Sequence, residues 1–174
     1  RDGDSLLHAA ASNGQTAACK VLIRKGADAS AANTDWNGLS PLGRAAKGGF
    51  RDTCALLISS DAAASGTGSL QRSAMMAADQ DGLVPLHWAA VNGHSEVCKL
   101  LLRSGTPIDI RTSAGLSSLT TPSKTPLQFA KEGGHNALLP ILEHSDHASC
   151  VKARRGGVDN RGGGNMEIVL ELSP

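Results

Sequence analysis

Hydrophobic positions along this chain fall into short clusters that return at matching offsets. The segments SLLHAAASNGQ (5–15), SPLGRAAKGGF (40–50), VPLHWAAVNGH (84–94) and TPLQFAKEGGH (125–135) align without gaps. In each, a small or β-branched residue (Ser5, Ser40, Val84, Thr125) is followed two places on by Leu7, Leu42, Leu86 or Leu127. Nine places on stands Gly14, Gly49, Gly93 or Gly134. A second apolar block follows each glycine: CKVLI (19–23), CALLI (54–58), CKLLL (98–102) and LPIL (139–142). Self-similarity of this kind is the mark of a repeat architecture.

Each unit predicts two short antiparallel helices. Ser40 and Thr125 are good N-caps, because a hydroxyl accepts from orphan backbone N–H groups. Pro41, Pro85 and Pro126 sit at the first helical position, which needs no N–H. The alanine pairs Ala10–Ala11, Ala45–Ala46 and Ala89–Ala90 keep one helix face flat for close contact with a neighbour. The four glycines predict the end of each first helix, where a left-handed backbone is cheap only without a Cβ. Gly26 and Gly105 predict the same for second helices.

This frame resembles the ankyrin repeat, whose T-P-L-H-x-A core it approaches most closely in DQDGLVPLHWAAVNGHSEVCKLLLRSG (79–105). The first unit has Leu6 in place of proline. The second has Gly43 at the histidine position and Asp61-Ala62-Ala63 in place of Gly-Ala-Asp. The fourth has Gln128 for histidine, Lys131 for the second alanine and Pro140 in its second helix. That proline is tolerated if the helix starts near Asn136, which places it in the first turn. The resemblance covers about residues 2–146 and implies an all-α solenoid of stacked helix pairs joined by hairpin loops, then a flexible C-terminal tail. The domain is expected at 1–146, with repeats at about 2–33, 35–63, 79–111 and 121–146. Long loops are expected at about 64–80 and 112–124, and the tail at 147–174.

The steps between units, 35, 44 and 41 residues, exceed the family's usual repeat of about 33. The larger insertion, about 64–80, opens with glycine and serine. Its stretch 69–78 then predicts a two-turn helix capped by Ser69. The other, about 116–124, reads as polar and extended. Insertions of this kind map to loops on one face, either as a binding element or as an untethered loop.

By resemblance, partners meet the hairpin tips and the exposed side of the first helices. By position these are Trp36, Asn37, Leu39 and Lys47 in the second unit, and Gln80, Asp81, Leu83, Val91 and Asn92 in the third. Asp4, Ser12 and Asn13 match them in the first unit, and Glu132 in the fourth. Trp36 stands out, since tryptophan is enriched at interface hot spots. Trp88 and Phe129 share one place in the first helix and are expected to pack between repeats. Phe50 takes the place after Gly49 where the family has histidine.

Candidate chemistry is sparse. Cys19, Cys54 and Cys98 each lie five residues after their repeat's glycine, where they read as small buried hydrophobes. Unpaired buried thiols suit the reducing cytoplasm or nucleus. His8 and His87 share a place that Gly43 and Gln128 fill elsewhere, as a structural position tying hairpin to helix allows and a shared catalytic base does not. His144, His147 and Cys150 are spaced three apart with Asp146 between them, but structural zinc sites use four ligands at other spacings. No phosphate loop or nucleophile elbow is present. No catalytic residue, cofactor or metal is therefore expected. The segment 153–165 carries two Arg-Gly-Gly steps and reads as a linker, with loose RNA contact as the alternative. MEIVLELSP (166–174) alternates with a period of two, like a strand.

Composition sharpens this picture. The 174 residues include 25 alanines and 21 leucines but two Phe, two Trp and no Tyr, which suits thin, close-stacked helices and argues against a sandwich or barrel. A formal net charge of +1 offers no strong field for nucleic acid or membrane surfaces. No apolar run approaches the 18 or so residues a spanning helix needs. The chain opens on Arg1, so a fragment or processed product is expected, with no signal peptide read. The expectation is a non-catalytic, monomeric protein–protein interaction module, with no small-molecule substrate and no membrane insertion. The alternative is a targeting domain of a larger enzyme such as a kinase, ubiquitin ligase or acyltransferase.

Overall fold

The computed structural model describes residues 6–29, 38–65, 71–112 and 123–144. Their helices are α1 (Leu6–Ser12), α2 (Thr16–Arg24), α3 (Pro41–Gly48), α4 (Arg51–Ser65), α5 (Gln71–Met76), α6 (Pro85–Val91), α7 (Ser95–Arg103), α8 (Pro126–Glu132) and α9 (Leu139–His144). The first helices α1, α3, α6 and α8 pack side by side in one layer. The second helices α2, α4, α7 and α9 form the other layer. Four helix pairs thus stack into an all-α solenoid, as the sequence pattern predicts.

The local reasons repeat with the fold. Ser40 Oγ accepts from the Gly43 N–H at 3.1 Å and caps α3. Thr125 Oγ1 accepts from the Gln128 N–H, while Gln128 Oε1 accepts from the Thr125 N–H at 2.9 Å. That reciprocal pair satisfies two orphan donors of α8. Pro41, Pro85 and Pro126 each open their helix. At the far end, the Gly49 N–H donates to Ala46 O and the Phe50 N–H to Ala45 O. The same two bonds recur at Gly14, Gly93 and Gly134, closing each first helix on a glycine of positive φ.

The core lies between the layers. Leu42, Leu86, Leu101 and Leu138 are fully buried, with Ala11, Ala45, Ala46, Ala89, Ala90 and Ala130 in the close contacts. Cys19, Cys54 and Cys98 are buried and unpaired, as their register predicts. In the fourth pair a 3-10 turn over Asn136–Leu138 precedes α9, so Pro140 falls in the first α turn and is accommodated there.

The insertions depart from expectation. Helix α4 runs on to Ser65, beyond the end of its repeat frame. The predicted insertion helix forms as α5, but its expected cap Ser69 lies outside the described residues. It is also not untethered: Ala74 and Met75 join the core, and Thr106 Oγ1 lies 3.6 Å from Met75 Sδ. An apolar pair of side chains in one helical turn finds shelter between α4 and α6 rather than in water. For the later insertion, the Thr112 N–H donates to Lys124 O, the Lys124 N–H to Thr112 Oγ1, and Ser123 Oγ to Thr112 O. Its two ends are clasped together; residues 113–122 lie outside the described set, as do Asp146, His147 and Cys150 of the expected cluster and the tail.

Candidate partner-binding surface

The surface of interest is the solvent edge of the first-helix layer and the hairpin tip before α6. Its centre is Trp88, half-buried on α6. The indole Nε1–H donates to Asp79 Oδ2 at 2.8 Å. The other carboxylate oxygen of Asp79 accepts from the Asp81 and Leu83 N–H groups, at 3.0 and 2.8 Å. One side chain therefore orders the hairpin tip and orients the tryptophan. Gly82, with φ +77°, makes that tip possible. From the preceding pair, Lys47 Nζ stands 4.5 Å from the Trp88 ring centroid, a cation–π contact between repeats. Asn92 Nδ2 donates to Trp88 O at 2.8 Å and stays exposed.

In the next pair an aromatic ring at the same place meets a lysine of its own unit instead. Lys124 Nζ lies 5.6 Å from the Phe129 centroid and 2.6 Å from Glu132 Oε2. Phe129 meets His87 edge to face, with centroids 5.6 Å apart. His87 is buried, and its Nδ1 accepts from the Val84 N–H at 3.2 Å. Val84 has no hydroxyl, so this is the only side-chain bond at the start of α6. Burial lowers the His87 pKa, an effect that backbone groups of Lys124 and Ile110, and then the Asp79 charge, oppose. Those backbone groups favour the proton without closing a well-formed hydrogen bond to Nε2. His8 is equally buried.

The rings after the helix-ending glycines form a second ladder. His94 Nε2 lies 3.0 Å from Lys47 O, and His135 Nε2 lies 2.8 Å from Val91 O. Phe50, His94 and His135 lie over Gly14, Gly49 and Gly93 of the preceding pair, so closely that a Cβ there would come within 2.3, 2.6 and 2.6 Å. The ladder sets the spacing between first helices and hence the spacing of Lys47 from Trp88.

Each expected contact residue can now be placed. Lys47, Gln80, Asp81 and Asn92 are exposed along the edge, and Leu83 and Val91 are half-buried there. Ser12 is half-buried, Asn13 and Glu132 are exposed, and Asp4, Trp36 and Asn37 lie outside the described residues. Leu39 is a correction. It is only 4% exposed and offers nothing to a partner. Its Cδ2 lies 2.8 Å from where a Cβ on Gly43 would stand, so it fills space left by the absent histidine ring of that position. Trp88 packs between repeats as expected, half-buried with Lys47 of the preceding pair against its ring; sequence reasoning missed that part of it stays open at this edge. It also missed Arg44, at the same place in α3, whose guanidinium donates to Ser12 Oγ at 3.4 Å.

The chemistry of these groups favours contact over reaction. Desolvation pushes the Cys54 and Cys98 thiols up to about 12 and raises Cys19 as well, which suppresses the reactive thiolate. Among the described residues, no group of three or more His, Cys, Asp and Glu side chains is placed to hold a metal ion. No described helix is long and apolar enough to cross a membrane.

Stacked helix pairs, glycine-closed first helices and ordered hairpin tips define a helical repeat scaffold. The family model described as ankyrin repeats in three copies matches residues 1–67, and the ankyrin repeat model matches residues 81–113. The chain belongs to the ankyrin repeat family. Domains of this family are generally protein–protein interaction modules and typically non-catalytic. No curated protein matches the chain. Both family matches end before α8, which stacks on α6 as the preceding first helices stack on one another.

Proposed function

We propose that this protein is a non-catalytic scaffold that binds a partner protein through the hairpin tips and the concave edge of its first helices, centred on Trp88. The observation that carries this reading is the Asp79–Trp88–Lys47 row. It holds a large aromatic surface in one orientation before any partner arrives. Pre-ordered aromatic side chains lose little entropy on binding, which is why they serve as anchors. Gln80, Asp81 and Asn92 supply a polar rim around that anchor. We place the domain at 1–146, with the fourth helix pair as a terminal repeat. The three buried unpaired thiols support a reducing compartment, cytoplasm or nucleus.

The test is a quantitative pull-down from source cells with the wild-type chain, Trp88→Ala, Lys47→Glu and Arg51→Ala. The first two should lose the same partner proteins while circular dichroism stays unchanged. Arg51→Ala, on the second-helix layer, should retain them. Equal recovery by all four chains would refute the placement.

A further inference from the structure

Two departures from the repeat pattern meet in space. The first is the insertion of the second unit, which supplies α5 and with it Met75 and Met76. The second follows α7, where Gly105-Thr106-Pro107 stands in place of the Gly26-Ala27-Asp28 of the first unit. Met75, Met76, Gly105, Thr106 and Pro107 line one cavity of about 220 Å³. Met75 is buried, 2% exposed, while Met76 is 39% exposed and borders solvent. The buried Thr106 hydroxyl donates to Met75 Sδ at 3.6 Å, which holds that thioether in place. Gly105 leaves room beside it: outside its chain neighbours, nothing lies within 4 Å of where a Cβ would stand.

Chemistry and size narrow what fits there. None of the five lining residues is charged, so an ionic group would lose its water without gaining a counter-charge. The volume falls below the roughly 300 Å³ at which pockets for drug-sized ligands begin. It exceeds the roughly 150 Å³ that admits a benzene ring. One ring therefore fits, and a larger ligand does not. Sulfur selects among apolar groups, because thioethers make favourable contacts with aromatic rings, and methionine adapts its shape to what it covers. The described aromatic rings of this chain are held elsewhere: Phe50 over Gly14, Trp88 by Asp79 and Lys47, and Phe129 against His87. The cavity also adjoins the hairpin tip in the chain. Met76 precedes Asp79 by three residues, and Asp79 orders both that tip and Trp88.

We propose that this cavity takes one aromatic side chain from a partner protein that lies along the hairpin tips. The ring passes Met76 and rests on Met75, while the partner's backbone stays outside. Aromatic side chains seated in pockets of this kind are the usual anchors of protein interfaces. That the ring comes from a protein rests on the partner-binding reading above; that the cavity takes a ring does not. The cavity and the Trp88 edge share no lining residue, so either can fail without the other.

The test is nuclear magnetic resonance on the full 174-residue chain with isotope-labelled methionine methyl groups. Its three signals come from Met75, Met76 and Met166, so two report on the cavity and one is an internal control. The ligands are the end-blocked peptides Gly-Gly-Phe-Gly-Gly and Gly-Gly-Leu-Gly-Gly, and free indole, each titrated into the millimolar range. The phenylalanine peptide should shift the Met75 and Met76 signals to saturation and leave Met166 in place. The leucine peptide should bind distinctly more weakly. Met76→Asp should weaken the phenylalanine peptide by about tenfold or more, because the ring must then displace water from a carboxylate at the rim. Trp88→Ala should leave that binding unchanged, whatever it does to recovery of partners in the pull-down. Both side chains reach solvent, and circular dichroism checks the fold of each variant. Absence of shifts, equal binding of the two peptides, or indifference to Met76→Asp would overturn the proposal. Binding of indole without the phenylalanine peptide would overturn it too, by assigning the cavity to a free small molecule. So would Met75 and Met76 signals that move on Trp36→Ala with no peptide present, which would make this chain's own Trp36 the occupant.

Discussion

Replacing Gly93 by alanine tests whether the ring ladder couples neighbouring repeats. Gly93 has φ +75°, and an added Cβ would stand 2.6 Å from Nδ1 of His135. Two costs follow. The left-handed backbone costs an alanine about 1–2 kcal/mol. The imidazole must also move, and the 2.8 Å contact from Nε2 to Val91 O is lost with it. A net hydrogen bond is worth about 0.5–1.5 kcal/mol, so the total is about 1.5–3.5 kcal/mol. Gly134 is the control. It ends its helix in the same way at φ +71°, but nothing lies within 4 Å of an added Cβ. Gly134→Ala should therefore cost only the backbone term. Urea unfolding followed by far-ultraviolet circular dichroism should separate the two variants by about 1 kcal/mol. A double-mutant cycle sharpens the test: in a His135→Ala background, Gly93→Ala should cost no more than Gly134→Ala does in the wild type. Equal losses for the two glycine variants, or strict additivity in the cycle, would refute the ladder as a source of coupling.

Three further outcomes follow from the same structure. Val84→Thr should supply the hydroxyl missing from the start of α6 and raise the urea midpoint, by about 0.5–1 kcal/mol of stability. Leu101→Ala should lose about 2–5 kcal/mol because the side chain is fully buried; the half-buried Leu100 should lose distinctly less, and equal losses would contradict the register of α7. His87 makes stability pH-dependent with a definite sign. Its pKa is lowered by burial from the ordinary 6.5, so its contribution is complete above about that pH. As pH falls, the unfolded chain takes the proton first and stability declines until the folded-state pKa is reached. His87→Gln should flatten that decline in thermal melts between pH 7 and 5, since Gln128 shows that a glutamine can accept the same backbone N–H.

Much of this molecule was legible before any coordinates. The helix pairs, their proline openings, the glycine ends, the hydroxyl caps and the three buried cysteines all depend on interactions within about ten residues, and each recurs in register. A periodic signal repeated four times averages out local exceptions. The placement of Pro140 in a first turn was legible for the same reason.

Contacts that cross from one unit to the next were not. The burial of Leu39 depends on the cavity that Gly43 opens, and the partial burial of Trp88 depends on Lys47 arriving from another pair. The docking of Met75 near Thr106 joins residues 31 apart through an insertion with no periodic counterpart. Sequence by itself determined that this chain builds ankyrin helix pairs, because caps, turns and hydrophobic period are local chemistry. Tertiary structure alone decided which side chains of those pairs face a partner, because accessibility is set by the lateral offset between neighbouring repeats. No single repeat carries that quantity in its own residues.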